Sequence, residues 1–401
     1  MSEASPPPDH AAAVIGQPVH EVHWADALPW WILFRAAGAA FSPTVILLAA
    51  LGGLATWAGL SIADSLGLAG TATVDPAMEL IIESSPEAIA FPETSSPAVM
   101  PSRRALPDAS GLLGRLPAPL ASVAMVVATP FLPTASLAEA GGSTLRIVWV
   151  VLVWAVFGTA ITRQVAVKLV GEEQPGFLGA IGFGARKWPS SFNAMAFVLL
   201  GVLLLSVPGA VLGLAMRTDW GLALAGFLWP LVLLGSLVLA ILVVGLVAGW
   251  PLMVAAVGVE RGDAFQAIST AFSYLYQRPL HVAFYTTVAA VVFVPALFAA
   301  GLFADATTTL AVWATSFGMG HERTAELLGG LSDGLAGGRR QAGVGLRALV
   351  FWHRCVETLL GSFGWGYFWS VVTAGYLLLR QAVDGTELDE VVLDELPGEA
   401  G

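Results

Sequence analysis

From Trp220 to Val259 the chain runs forty residues without a charged or histidine side chain. At about 1.5 Å of rise per helical residue this run reaches roughly 60 Å, twice the hydrocarbon core of a bilayer. No water-soluble domain needs such a run. It must span a membrane, and it must also bend, fold back or continue into the interface. Pro230 and Pro251 are the expected bends, because proline removes a backbone hydrogen bond and clashes with the preceding turn. A hairpin around Gly235 and Ser236 is the other solution.

The rest of the chain agrees. Apolar residues make up 56 % and charged residues 12 %, with a mean hydropathy of +0.77; the charged share is about half that of globular proteins. Several segments reach spanning length, so the expected fold is all-α: a polytopic transmembrane helix bundle of about six spans, with amphipathic interfacial helices between them. The spans read as Ala37–Ile62, Leu145–Val167, Phe192–Met216, a stretch within Phe227–Val257, Leu280–Phe303 and Val356–Leu379. A hairpin at Gly235 would make them seven.

Around these spans the chain divides by composition. Residues 1–27 are a polar, disordered leader holding His10, His20 and His23, without the basic start of a cleavable signal peptide. Residues 28–66 carry an interfacial anchor (Trp30, Trp31, Arg35) and the first span. Residues 67–143 are a Pro/Ser-rich loop outside the cytoplasm, in which the stretch from Pro119 to Leu137 reads as re-entrant or surface-lying. Residues 144–304 hold a four-helix core, 305–345 a polar, Gly-rich loop, 346–380 an interfacial helix and the last span, and 381–401 an acidic tail. From Asp384 onward that tail has seven acids and no bases, which accounts for much of the net charge of −11.

Cations near span ends set the orientation. Lys168, Arg186, Lys187, Arg261 and Arg278 follow spans two and four, whereas Arg217 alone stands between three and four. This places both termini in the cytoplasm. Lys168 and Lys187 are the only lysines among eighteen cations, a bias that, with the abundant Ala and Gly, fits a GC-rich bacterial genome and an inner membrane. The lone Cys355 excludes a disulfide framework and cysteine-based metal centres. No basic stripe supports nucleic-acid binding. The expected partners are the lipid bilayer and protein partners or a second copy of the chain; no cofactor is expected.

Two cytoplasmic connections resemble each other. One contains Glu172, Glu173, Phe177, Ile181, Arg186, Lys187 and Pro189; the other contains Glu260, Arg261, Asp263, Phe265, Ile268, Phe272, Arg278 and Pro279. In the second, Phe265, Ile268, Phe272 and Leu275 share one helical face, Asp263 caps its start and Pro279 opens the next span. Each unit reads as span, acidic turn, amphipathic helix, basic–Pro turn, span, which points to a duplicated core in parallel topology.

The run from Gly249-Trp-Pro through Glu260-Arg-Gly-Asp to Tyr274 and Arg278-Pro279, with the closing Tyr376-Leu-Leu-Leu-Arg380 and Asp384, resembles a group of bacterial multi-pass inner-membrane proteins. These are similar to the YciC-like family and to the membrane domain attached to some glycerophosphodiester phosphodiesterases. The resemblance covers about Leu145 to Val392 and implies a membrane-embedded helical domain; the phosphodiesterase catalytic domain has no counterpart here.

Ionisable groups inside spans are the default functional candidates, since a mid-bilayer charge costs about 2.5–3.5 kcal/mol. The candidates are Arg163 near the end of span two, Glu260, Arg261 and Asp263 at the end of span four, and His353 with Glu357, which share a face at the start of span six. A nucleophile elbow, a phosphate loop and a zinc-protease helix are all missing. Gly201, Gly209, Gly213, Gly245 and Gly249 read as helix-packing positions, and the fourteen tryptophans as interfacial belts. The expectation is a non-enzymatic membrane scaffold or regulator, with a transporter or lipid-handling protein as the alternative. A carrier should bring Arg163, Glu260 and Glu357 to one cavity.

Overall fold

In lipid every backbone polar group needs an internal partner, and a chain this apolar meets that demand with helix. The computed structural model describes residues 28–66, 137–171, 176–332 and 344–386, and every regular element among them is helical. A tight turn at Pro29–Trp31 leads to α1 (Ile32–Ala40), α2 (Pro43–Ser65), α3 (Leu137–Val170), α4 (Phe177–Ala215) and α5 (Asp219–Glu260). Then follow α6 (Ala264–Gln277), α7 (Pro279–Ser332) and α8 (Val344–Asp384). Helices α2, α3, α4, α5 and α7 are long and apolar enough to cross a membrane. The chain is an all-α membrane protein.

Several boundaries differ from the sequence reading. The first span is broken after Ala40, where Pro43 opens α2 and holds Ser42 extended (ψ 138°). Helix α1 then tucks inside, burying Ile32, Leu33, Ala36 and Ala40. The surface helix expected before span three is continuous with it, because Pro189 lies inside α4; in the other unit α6 is a separate helix, so the two units match in order but not in geometry. Helix α5 is one helix through both Pro230 and Pro251, not a hairpin. The expected loop after Asp305 is helical as far as Ser332, turning at Gly320 (φ 78°). Its threonines read as polar, yet the Thr307 and Thr315 hydroxyls donate to carbonyls four residues back at 2.8 Å and leave the helix intact. The leader, residues 67–136 with most of the re-entrant segment, Glu172 and Glu173, residues 333–343 and the acidic tail beyond Thr386 lie outside the described residues.

The sixth expected span falls on α8, which is not among the five apolar spans. Its Gly, Ser and Thr residues lower its hydropathy for a physical reason: between Gly361 and Leu379 it is the buried central post, packed by α1, α2, α3, α5 and α7. The Ser370 and Thr373 hydroxyls close onto carbonyls four residues back at 2.7 Å, so their polarity is spent within the helix.

Close approach is set by glycines other than those expected. A Cβ on Gly184 would lie 2.4 Å from the Val156 carbonyl oxygen, one on Gly258 2.1 Å from Thr162 Oγ1, and one on Gly158 2.8 Å from the Trp369 ring. These three bring α4, α5 and α8 against α3. Of the expected five, Gly245 meets Phe272 closely, whereas Gly201, Gly209 and Gly213 face open space. The tryptophan reading needs a similar correction. Trp154 and Trp365 stack at 4.4 Å, with Trp369 6.0 Å from Trp154 and 5.8 Å from Trp250, in the bundle interior and not in a belt.

Charges mark two planes. Arg146 to Lys168 on α3 and Glu357 to Arg380 on α8 each cover about 33 Å of helix, close to the hydrocarbon thickness. Arg146 pairs with Asp64 at one plane. At the other, Arg35 donates to the Leu169 carbonyl at 2.7 Å and Lys187 to the Arg261 carbonyl at 2.5 Å. Helix α5 extends from Glu260 to Asp219, about 62 Å, and would have to tilt by about 60° to stay between these planes. Tilts in structures reach only about 40°, at which about 43 Å of helix fits between the planes, so about 19 Å of α5, from Asp219 to about Leu231, would overhang with exposed apolar residues.

Candidate functional site

At the Arg380 plane the ends of α5, α6 and α8 meet. The last carboxylate of α5, Glu260, accepts from the Tyr376 hydroxyl and from Gln266 Nε2 at 3.0 Å, and forms an ion pair with Arg380, whose Nε lies 3.5 Å away. Arg261 ends α5 in the left-handed region (φ 61°), its N–H bonded to the Val257 carbonyl at 3.0 Å. This turn aims the chain into α6, which Asp263 caps by accepting from the Gln266 N–H at 2.8 Å. The buried face of α6 is Ala264, Ala267, Ala271, Tyr274 and Leu275, offset from the expected Phe-rich face; Phe265 instead lies outside, stacked on Phe197 at 4.9 Å. The Tyr274 hydroxyl donates to the Asp384 carboxylate, and the Tyr274 and Tyr376 rings sit 5.4 Å apart. Burial and then the Asp384 carboxylate push the Tyr274 phenol well above its ordinary pKa.

The other candidates lie elsewhere. Arg163 is 2 % exposed, its guanidinium 5.4 Å from the Phe183 ring centre, beside buried Thr159, Thr162 and Gln164. The Thr159 and Ser191 hydroxyls are 2.7 Å apart in the same layer, which ties α3 to α4. His353 and Glu357 form a 3.4 Å pair with Glu357 63 % exposed. Glu357 stands nineteen residues before Tyr376, about 28 Å along α8. The three residues that a carrier should bring together do not meet in one cavity: Glu260 and Glu357 stand at opposite planes, and Arg163 lies in the core beside Gly258 of α5. Among the described residues no three His, Cys, Asp or Glu side chains gather as a metal site.

What the fold does create is a lateral cavity of about 630 Å³, within the 300–1,000 Å³ range typical of ligand sites. Helices α5 and α7 both flank this space but barely touch each other. The gap between them is floored by α8 through Gly364, Trp365, Phe368, Val371, Val372 and Gly375, and Leu33 of α1 also lines it. Helix α5 supplies Val247, Ala248, Pro251 and Leu252; α7 supplies Val282, Tyr285, Thr286, Ala289, Ala290 and Phe293. The Tyr367 hydroxyl on the floor donates to the Ala289 carbonyl at 2.6 Å. The slot is open along its side, so whatever surrounds the helices at that depth can enter it. Arg163, Glu260 and Glu357 do not line it.

No family model matches the chain, and neither the curated proteins nor the solved structures yield a match.

The residues that complete the Glu260 joint, namely Gln266, Tyr274, Tyr376, Arg380 and Asp384, were not candidates from sequence. A signal was present, since all five belong to the two motif runs quoted above. Those runs lie 110 to 116 residues apart and meet in space.

Proposed function

We propose that this chain is a non-enzymatic membrane scaffold or regulator that works by presenting apolar helices to partner helices, a second copy of itself among them. The observation that carries this reading is the Asp219–Leu231 end of α5, too long to stay between the charge planes, where Trp220 is 88 % exposed and Phe227 90 %. Apolar surface of that extent beyond the bilayer calls for cover. The ionisable residues support it too: they are used in joints between helices, not along a shared path. On the cation distribution we place the protein in a bacterial inner membrane with both termini in the cytoplasm, and on its motif runs beside the YciC-like group. A photo-crosslinking residue at Phe227, and separately at Leu231, tested in native membranes should yield protein adducts of discrete mass. Adducts with lipid alone at both positions would remove the scaffold reading.

A further inference from the structure

The cavity between α5 and α7 points to an occupant that the scaffold reading does not require. We propose that it is a binding site for a membrane glycerophospholipid, with an acyl chain in the slot and the phosphate at Arg278.

Depth is the first argument. The lining begins one turn below Arg278 at Val282, whose N–H bonds to the Arg278 carbonyl at 3.1 Å, and ends at Phe293 and Gly364. From Arg380 down to Gly364 is about 24 Å of helix, reaching past the bilayer midplane. Only hydrocarbon is abundant there, and the gap opens sideways because α5 and α7 do not close on each other. Polarity is the second argument. Arg278 is exposed, and its Nη2 lies 3.4 Å from the Ala382 carbonyl, one turn from Leu379 on the cavity wall. It therefore stands about one turn beyond lining residues of both α7 and α8. Of the other charges near the mouth, Glu260 pairs with Arg380 and Asp384 accepts from Tyr274, and the His281 ring packs on Tyr285; the exposed Arg278 guanidinium gives one N–H to Ala382 and has further donors for a phosphate. Tyr285 and Thr286 sit about 10 Å further in, near the level of the ester carbonyls, where their hydroxyls can donate. Shape is the third argument. Gly375 faces the slot, and a Cβ placed on it meets nothing within 4 Å, so the floor holds a channel of open space and not a collapsed seam.

The test uses the full chain in nanodiscs of equal phosphatidylglycerol and phosphatidylcholine, with a trace of phosphatidylglycerol bearing a diazirine near its chain end. Photolabel should concentrate on peptides carrying Phe293 and Phe368, at least fivefold above those of the exposed, lipid-facing Leu47–Leu54 face of α2. Gly375→Phe fills the slot and should abolish that excess, whereas Gly213→Phe, which adds the same ring on the open face of α4, should keep it. Ala290→Phe repeats the block from the opposite wall should Gly375→Phe not fold. Arg278→Gln should lower labelling by the phosphatidylglycerol probe several-fold relative to a diacylglycerol probe with the same diazirine chain, which lacks the phosphate. Even labelling of all faces, labelling unchanged by either blocking variant, or equal loss in Gly213→Phe would overturn the site. An unchanged probe ratio in Arg278→Gln would overturn its headgroup half.

Discussion

Replacing glycine by alanine at positions 184 and 213 is the same chemical change on one helix, and it should move stability in opposite directions. At Gly184 the new Cβ would come 2.4 Å from the Val156 carbonyl oxygen, and ordinary contact begins at 3.4 Å, so α4 must retreat from α3 by about 1 Å. A 1 Å gap forfeits a quarter to a half of each dispersion contact; for the roughly 50 contacts of about 0.15 kcal/mol made by one buried leucine's worth of interface, that is about 2–4 kcal/mol. Overpacked cores lose about 1–3 kcal/mol in practice, so a loss of about 2–3 kcal/mol is expected. At Gly213 the Cβ meets nothing, and the better helix propensity of alanine should stabilise by about 0.5–1 kcal/mol. The assay is unfolding of the purified protein in mixed micelles by titration with sodium dodecyl sulfate, followed by tryptophan fluorescence. If Gly184→Ala is neutral or shifts the midpoint in the same direction as Gly213→Ala, the α3–α4 approach is not as close as described.

The same titration reads three further expectations. Glu260 and Arg380 are each 15 % exposed, so Glu260→Ala should cost about 3–5 kcal/mol by stranding the arginine, and Glu260→Ala with Arg380→Ala should cost clearly less than the sum; strict additivity would mean that the pair is not coupled. Glu357→Ala should change stability by less than about 0.5 kcal/mol, because its 3.4 Å partner His353 is met at an exposed site; a loss above about 1.5 kcal/mol would point to a role beyond that pair. The raised Tyr274 pKa makes the folded state hold its proton longer than the unfolded one, which ionises near pH 10. Its contribution is complete below about pH 10 and is lost as pH rises from there toward the folded value. Tyrosinate absorbance on the folded protein should therefore show Tyr274→Phe removing none of the chromophore that titrates near pH 10; loss of one residue's worth would contradict the burial.

Local chemistry is short-ranged, and so is what the sequence alone determined. The charge-free run of α5, the Asp263 cap, the start of α7 at Pro279 and the His353–Glu357 pair each depend on residues within one or two helical turns, and all were legible. The α1–α2 break was announced by Pro43, yet the span was read through it because both sides are apolar. Helix α8 was read as the sixth span even though its Gly, Ser and Thr residues depress hydropathy, but only the surrounding helices explain why those residues belong at the centre. Which glycines permit close approach could not be read either, since Gly184 and Gly213 look alike until α3 is seen against one and nothing against the other. The Glu260 joint and the lateral cavity are further from sequence still. The first closes contacts over more than a hundred residues, and the second exists because two helices pack on α8 and not on each other. Those are properties of the packed bundle, fixed by the relative placement of whole helices and written in no single segment of the chain.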